Sequence, residues 1–140
     1  METEDRKCVI ILDESLPVGI LANTAAILGI TLGSRIPEAV GPAVDDKSGN
    51  SHLGIITIPV PVLKASKEKI REIREKLFEP EFSDVVTVDF SDVAQSCNIY
   101  SDYIKKAAAV QEKDFIYFGV GMYGRKNLIN KLSGSLPLLR

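Results

Sequence analysis

Apolar residues follow two patterns in the first part of the chain, a continuous run and a helical repeat. The run at residues 6–12 (RKCVIIL) contains consecutive apolar and β-branched residues, which predicts a strand buried on both faces. Pro17 suits the first position of a helix, where its missing N–H costs nothing. Apolar positions that cover most of the helix surface predict that this helix runs over residues 17–32. Gly33 is well placed to end it.

The middle of the chain is irregular before strand and helix patterns return. Residues 34–53 contain prolines and a turn cluster, which predicts an irregular segment. Residues 54–58 (GIITI) predict a strand. The prolines at 59 and 61 either end that strand or place its continuation on a sheet edge, since proline cannot donate to the ladder. Ser66 predicts the N-cap of a helix over residues 67–78, whose narrow apolar stripe indicates packing on a sheet.

The remaining residues predict two more strands and two more helices. The third strand is expected at residues 84–90, followed by helical structure from about residue 99. Residues 115–122 predict a fourth strand, whose glycines mark a close backbone approach or a bulge. A short helix is expected over residues 125–132, and the apolar tail at 136–139 is expected to pack back on the domain.

The predicted order is β-α-(loop)-β-α-β-α-β-α, which is typical of an α/β fold. We expect a small, mainly four-stranded mixed sheet flanked by helices in two or three layers. The length of 140 residues fits one domain. We therefore expect a single domain over residues 1–140, with residues 1–5 flexible.

Apolar runs and cysteines indicate in which cellular compartment the protein is expected. No uninterrupted apolar run approaches the roughly 18 residues that cross a bilayer, because polar or glycine residues (Asn23, Thr24, Gly29) interrupt the richest stretch. The acidic start of the chain is unlike a secretory signal. Cys8 and Cys97 are the only cysteines, and two free thiols suit a reducing compartment. These features predict a soluble cytoplasmic protein.

Charge is unevenly distributed along the chain. The net charge is −2, but no acidic residue follows Asp114, so the last segment carries +4 while residues 1–114 carry −6. Arg125 and Lys126 open this basic segment. They indicate either a site for an anionic ligand or a solvated helix face.

Sequence motifs for common cofactors and metals are not found. The chain has no GxGxxG, no GxxxxGK[ST], no CxxC and no HExxH. His52, the one histidine, lies in a polar turn region and is typical of a solvated loop residue. We therefore expect no cofactor and no metal.

Four stretches together resemble one family: residues 7–13 (KCVIILD), 16–23 (LPVGILAN), 90–96 (FSDVAQS) and 130–140 (NKLSGSLPLLR). They are similar to the bacterial domain-of-unknown-function family two-thousand, over essentially the whole chain from Lys7 onward. That family is similar in fold to the type II peptidyl-tRNA hydrolases. The resemblance therefore implies an α/β fold like that of the type II peptidyl-tRNA hydrolases. As one hypothesis, it also implies cleavage of an ester bond.

The resemblance also assigns candidate catalytic residues. Where those enzymes begin a helix with Gly-Lys-x-Ala-Ala-Gln, this chain keeps Gly19 but has Ile20 in place of the catalytic lysine and Thr24 in place of the glutamine. Where they carry Asp-Ala-Gly-Arg-Thr, this chain has Asp92 and, four residues on, the hydroxyl of Ser96. The resemblance implies that Asp92 orients or deprotonates a water and that Ser96 hydrogen-bonds the water or substrate. The alternative is that both residues cap the following helix.

Five further residues are candidates for substrate binding: Asp13, Asn23, Thr24, Arg125 and Lys126. Asp13 follows the first strand at its carboxyl end, where ligand sites of α/β proteins often lie, or it serves only the local turn. Asn23 is either a bonded buried amide or a site group. The function hypotheses are a hydrolase-like or ligand-binding protein of unknown substrate, an active peptidyl-tRNA hydrolase with a rearranged site, and a non-catalytic RNA- or protein-binding module. The expected partner is a small molecule or RNA, and a homodimer is consistent with the resemblance.

Overall fold

The structure, a computed structural model, describes residues 5–140. The strands are β1 (Arg6–Asp13), β2 (Val44–Asp45), β3 (Ser51–His52), β4 (Val62–Ala65), β5 (Val86–Ser91) and β6 (Tyr117–Arg125). The helices are α1 (Val18–Arg35), α2 (Lys67–Leu77), α3 (Asp92–Gln95), α4 (Tyr100–Ala108) and α5 (Lys126–Ser133). Residues 1–4, to which most of the expected flexible terminus belongs, lie outside the described residues.

The main sheet has four strands in the order β4-β1-β6-β5. β1 pairs parallel with β4 and antiparallel with β6, and β5 pairs antiparallel with β6. The sheet is therefore mixed, which confirms the predicted α/β class and the four-stranded mixed sheet flanked by helices. The short β2 and β3 form a separate hairpin outside it.

Strand β1 is buried on both faces, as its continuous apolar run predicted. Val9 and Ile11 contribute to one core cluster, while Cys8, Ile10 and Leu12 contribute to the other. Helices α2 and α5 cover the first cluster with apolar side chains that include Ile70, Ile73 and Ile129. Helix α1 covers the second cluster with Leu28 and Leu32. The domain is therefore a sheet between two helical layers.

The strand predicted at residues 54–58 is wrong. Within that segment, Ile56 makes only an isolated bridge to Val40. The strand of the main sheet forms after the prolines instead, as β4. Pro61 contributes to the sheet through its carbonyl, which accepts a hydrogen bond from the Ile10 N–H at 3.1 Å. A proline can do this at an edge because only its N–H is missing. A strand after the prolines does lie at a sheet edge, as one alternative held, but it does not continue a strand over residues 54–58.

The apolar C-terminal tail packs back on the domain, as predicted. Leu138 bridges to Leu63 of β4 in antiparallel fashion. The Lys64 N–H donates to the Pro137 carbonyl at 3.0 Å, and the Leu139 N–H donates to the Val62 carbonyl at 2.9 Å. The tail therefore covers the free edge of β4.

Two glycines of β6 allow α1 to lie close to the sheet. A Cβ atom added at Gly119 would lie 2.8 Å from the Leu12 side chain, 2.9 Å from the Ile11 carbonyl oxygen and 3.0 Å from Thr24 of α1. A Cβ atom at Gly121 would lie 2.8 Å from Leu32. The pairing of β5 with β6 also shifts register next to Gly119. Both sequence-based interpretations of these glycines, close approach and a bulge, are confirmed.

Helix α1 also bears on the expectation about membranes. Among the described residues it is the one helix that is long and apolar enough, by length and composition alone, to span a bilayer. The expectation that no stretch approaches such a span is corrected on this point. Core helices of folded domains pass the same test. Here Thr24, Leu28 and Leu32 are buried, whereas Val18 and Ile30 are exposed.

Substituting Gly119→Ala tests the close approach of α1. The new methyl group must displace the Leu12 side chain and the Ile11 carbonyl and would press on Thr24 of α1, so we expect a loss of roughly 1–3 kcal/mol in the free energy of unfolding. Urea denaturation measures the loss. Gly29→Ala is the matched control because nothing lies within 4 Å of a Cβ atom there. In mid-helix this control should gain about 0.5–1 kcal/mol. Equal stabilities for the two variants would contradict the packing argument.

Candidate functional site

Asp92 ties the end of β5 to the start of β6. Its backbone N–H donates to the Ile116 carbonyl at 3.0 Å, and its Oδ1 accepts the Ile116 N–H at 2.9 Å. The side chain is half-buried. The carboxylate also lies in the first turn of α3, where a negative charge is favoured. Asp92 therefore closes the segment of residues 92–116 at its base.

Ser96 lies four residues further on, at the end of α3. Its hydroxyl donates to the Val93 carbonyl at 2.9 Å and accepts from Lys106 Nζ at 2.5 Å. Among the described residues, no hydrogen bond joins the side chains of Ser96 and Asp92. The two candidate catalytic residues therefore share one short helix, but each side chain bonds to a different part of segment 92–116.

Asp13, Asn23 and Thr24 occupy three different environments. Asp13 is buried at the end of β1, and its Oδ1 accepts from both the N–H (2.9 Å) and the hydroxyl (2.7 Å) of Ser15. This bonding serves the local turn. Asn23 is exposed on the outer side of α1, so of its two alternatives the buried amide is wrong. Thr24 is fully buried against β6, and its hydroxyl has no hydrogen-bond partner within residues 5–140.

Arg125 and Lys126 lie at the opposite end of the sheet from Asp13. Arg125 is paired with Arg6 at the start of β1, whereas Asp13 ends the same strand. Seven residue steps of a strand span about 23 Å, so these cations and Asp13 do not share one site. Lys131, in the same basic segment, forms an ion pair with Glu81.

A cleft of about 430 Å³ opens between α1, β5 and α4. It is lined by α1 (Ile27, Thr31), β5 (residues 88–90), α3 (Ala94) and the segment leading into α4 (residues 97–100 and Tyr103). None of the nine residues of α4 is buried, so this helix stands off from the core and leaves the space open. The size lies within the range of small-molecule sites.

The lining of this cleft combines apolar and aromatic surface with a few polar groups. Tyr100 and Tyr103 pack edge to face with ring centroids 5.5 Å apart. Burial raises the pKa of Tyr103, and the nearby Asp89 charge adds to the effect, so its hydroxyl is a neutral donor at physiological pH. Thr31 and Asn98 add a hydroxyl and an amide. The cleft therefore offers apolar contact with a small number of hydrogen-bonding groups.

Sequence reasoning missed this cleft. The useful signal was the apolar face of α4, on which Ile99, Tyr100 and Ile104 are more than half exposed. Exposed aromatic and aliphatic side chains grouped on one helix mark interaction sites in folded proteins.

Metal binding has no support in the side chains of residues 5–140. No group of three or more His, Cys, Asp or Glu side chains lies close enough there to hold an ion. His52 is exposed and lies 2.8 Å from Asp46. The hydrogen bond from His52 lowers the pKa of that carboxyl.

The comparisons with known proteins place the chain in a family. The model of the family described as a protein of unknown function, DUF2000, matches residues 6–140. The chain belongs to the DUF2000 family. This confirms the family resemblance inferred from the four sequence stretches.

The DUF2000 fold recurs in a solved structure. A protein of unknown function from Agrobacterium tumefaciens strain C58 superimposes with a TM-score of 0.86 at 19% sequence identity, covering 96% of this chain and 97% of the other. At this identity the likeness concerns the fold alone. Among curated proteins, none is similar enough to count as a relative.

Substitutions of Asp92 test its role as a tether. Asp92→Ala removes the acceptor of the Ile116 N–H, so we expect a loss of about 1 kcal/mol in the free energy of unfolding. Asp92→Asn keeps a side-chain oxygen and should lose less. Hydrogen exchange of the Ile116 amide provides a local readout, which should be faster in Asp92→Ala. An unchanged exchange rate would contradict the tether.

The two cysteines should differ in reactivity. Burial raises the pKa of the Cys8 thiol to about 11, so at pH 8 it stays protonated and covered, whereas Cys97 is partly exposed. We expect iodoacetamide at pH 8 to add one group to the native protein, at Cys97, and two groups after unfolding. Intact-mass and peptide mass spectrometry give the count and position. Equal labelling of both thiols in the native protein would contradict the structure.

Proposed function

We propose that this protein is a non-catalytic binding protein and that its ligand occupies the cleft between α1, β5 and α4. The observation that supports the proposal is the combination in one cleft of about 430 Å³ of aromatic and aliphatic walls with the Thr31, Asn98 and tyrosine polar groups. Apolar walls with a few placed polar groups are the usual composition of ligand sites.

The geometry around Asp92 and Ser96 favours binding over hydrolysis. General-base catalysis needs a carboxylate that reaches a water beside the substrate, and ester cleavage also needs donors for the oxyanion. One Asp92 oxygen is bonded to backbone, and Ser96 is bonded to Val93 and Lys106. Ile20, at the position of the enzymes' lysine, supplies no donor to an oxyanion.

Fragment screening by NMR tests the cleft. A library of small aromatic and aliphatic compounds is titrated into ¹⁵N-labelled protein, and we expect shift changes to cluster on β5, α4 and the α1 residues of the cleft. Thr31→Trp places an indole at the cleft wall and should weaken fragment binding at least tenfold. Ala26→Trp is the matched control, because it adds the same group to α1 outside the cleft. Binding that is equal in both variants, or shifts elsewhere in the protein, would overturn the proposal.

A hydrolase assay tests the competing function. The fold likeness to type II peptidyl-tRNA hydrolases is part of what we propose, whereas the activity is not. We expect no turnover of peptidyl-tRNA above background, with an active type II enzyme as positive control. Turnover that disappears in Asp92→Asn, a variant that keeps the tether, would instead assign catalysis to this carboxylate.

A further inference from the structure

Strand β5 has a free edge, unlike the strand at the other side of the sheet. In the order β4-β1-β6-β5, the edge of β4 is covered by the C-terminal tail through backbone hydrogen bonds. Over residues 5–140, β5 has β6 as its one strand partner, and its residues make no further backbone–backbone hydrogen bond. Alternate residues of β5 therefore direct an unpaired N–H and C=O away from β6.

The cleft runs along this free edge. Three consecutive residues of β5, Val88 to Phe90, line it, although neighbouring side chains of a strand point to opposite faces. Asp89 directs its carboxylate to Arg74 of α2 at 2.7 Å. Because its side chain points to α2, Asp89 lines the cleft through the edge of the strand. The other wall is α4, with Tyr100 and Tyr103.

We propose that the ligand of this cleft is an extended peptide that adds a strand to β5. A groove with a free strand edge on one side and a helix on the other is the geometry in which peptides are bound by strand addition. The peptide's backbone pairs with the free groups of β5. Alternate side chains pack against Val88, Phe90 and the exposed apolar face of α4. This inference rests on the proposed function, since it names the class of ligand for the same cleft.

Charge next to the cleft indicates which peptides bind. Lys105 and Lys106 are exposed in the last turn of α4, and within the described residues neither forms an ion pair with a carboxylate. Lys106 Nζ donates a hydrogen bond to the Ser96 hydroxyl, and Ser96 is next in sequence to the lining residue Cys97. The one carboxylate of β5, on Asp89, is neutralised by Arg74. The preferred peptide is therefore apolar at alternate positions and carries an acidic residue where it reaches Lys106.

A display library of random linear heptapeptides is the probe, selected against the folded full-length protein. We expect enriched peptides with alternating apolar residues and at least one acidic residue. Methylation of single backbone amides in an enriched peptide should weaken binding at least tenfold at every second position and little at the positions between. Strand pairing gives this period because only alternate amides face β5.

Protein variants locate the bound peptide. Thr31→Trp should abolish binding, whereas Ala26→Trp should not. Lys106→Glu should raise the Kd about fivefold, as expected for an exposed ion pair. Lys126→Glu makes the same charge change at the far end of the sheet and should leave the Kd unchanged.

Four results would overturn the inference. They are the absence of any enriched peptide, methylation effects without a two-residue period, equal Kd changes in the two charge variants, and a dimer of this chain that occupies the β5 edge and excludes peptide. Fragments that bind the cleft while no peptide does would reject the peptide and leave the proposed function standing. Loss of both would reject the two together.

Discussion

The packing of α1 on β6 is the contact on which the rest of the structure depends. Gly119 and Gly121 remove two side chains from the middle of the sheet, and the space is taken by Leu12, Thr24 and Leu32. Because interiors are close-packed, a methyl group at Gly119 would meet the β1 backbone, and one at Gly121 would displace the Leu32 side chain. The same contact sets the position of Ile27 and Thr31, which form one wall of the cleft. The core and the candidate site therefore share one constraint.

The segment of residues 92–116 supplies the other wall. It leaves the sheet at the end of β5 and returns at the start of β6, and the reciprocal bonds between Asp92 and Ile116 close it at its base. Beyond that base, α4 contributes no buried residue. The helix therefore forms the second wall of the cleft without adding a buried side chain to the core.

The candidate residues taken from family resemblance and the cleft taken from the structure are close in sequence but differ in chemistry. Asp92 and Ser96 stand at the base of segment 92–116, where one Asp92 oxygen accepts from backbone and the Ser96 hydroxyl bonds to Val93 and Lys106. Membership of the DUF2000 family and the likeness to the Agrobacterium protein concern descent and fold. The choice between binding and hydrolysis therefore depends on local bonding. On that bonding we propose binding.

The sequence by itself determined the α/β class, the doubly buried β1, helices α1 and α2, the close approach at the β6 glycines and the return of the C-terminal tail. Each follows from a local pattern, because burial period, proline and glycine act within a few residues. Only the tertiary structure decided that the strand beside β1 is β4, which lies after Pro61. It also decided that Arg125 and Asp13 stand at opposite ends of the sheet and that β5 keeps a free edge beside α4. Strand order and the separation of side chains depend on which distant segments pair, and no local pattern contains that information.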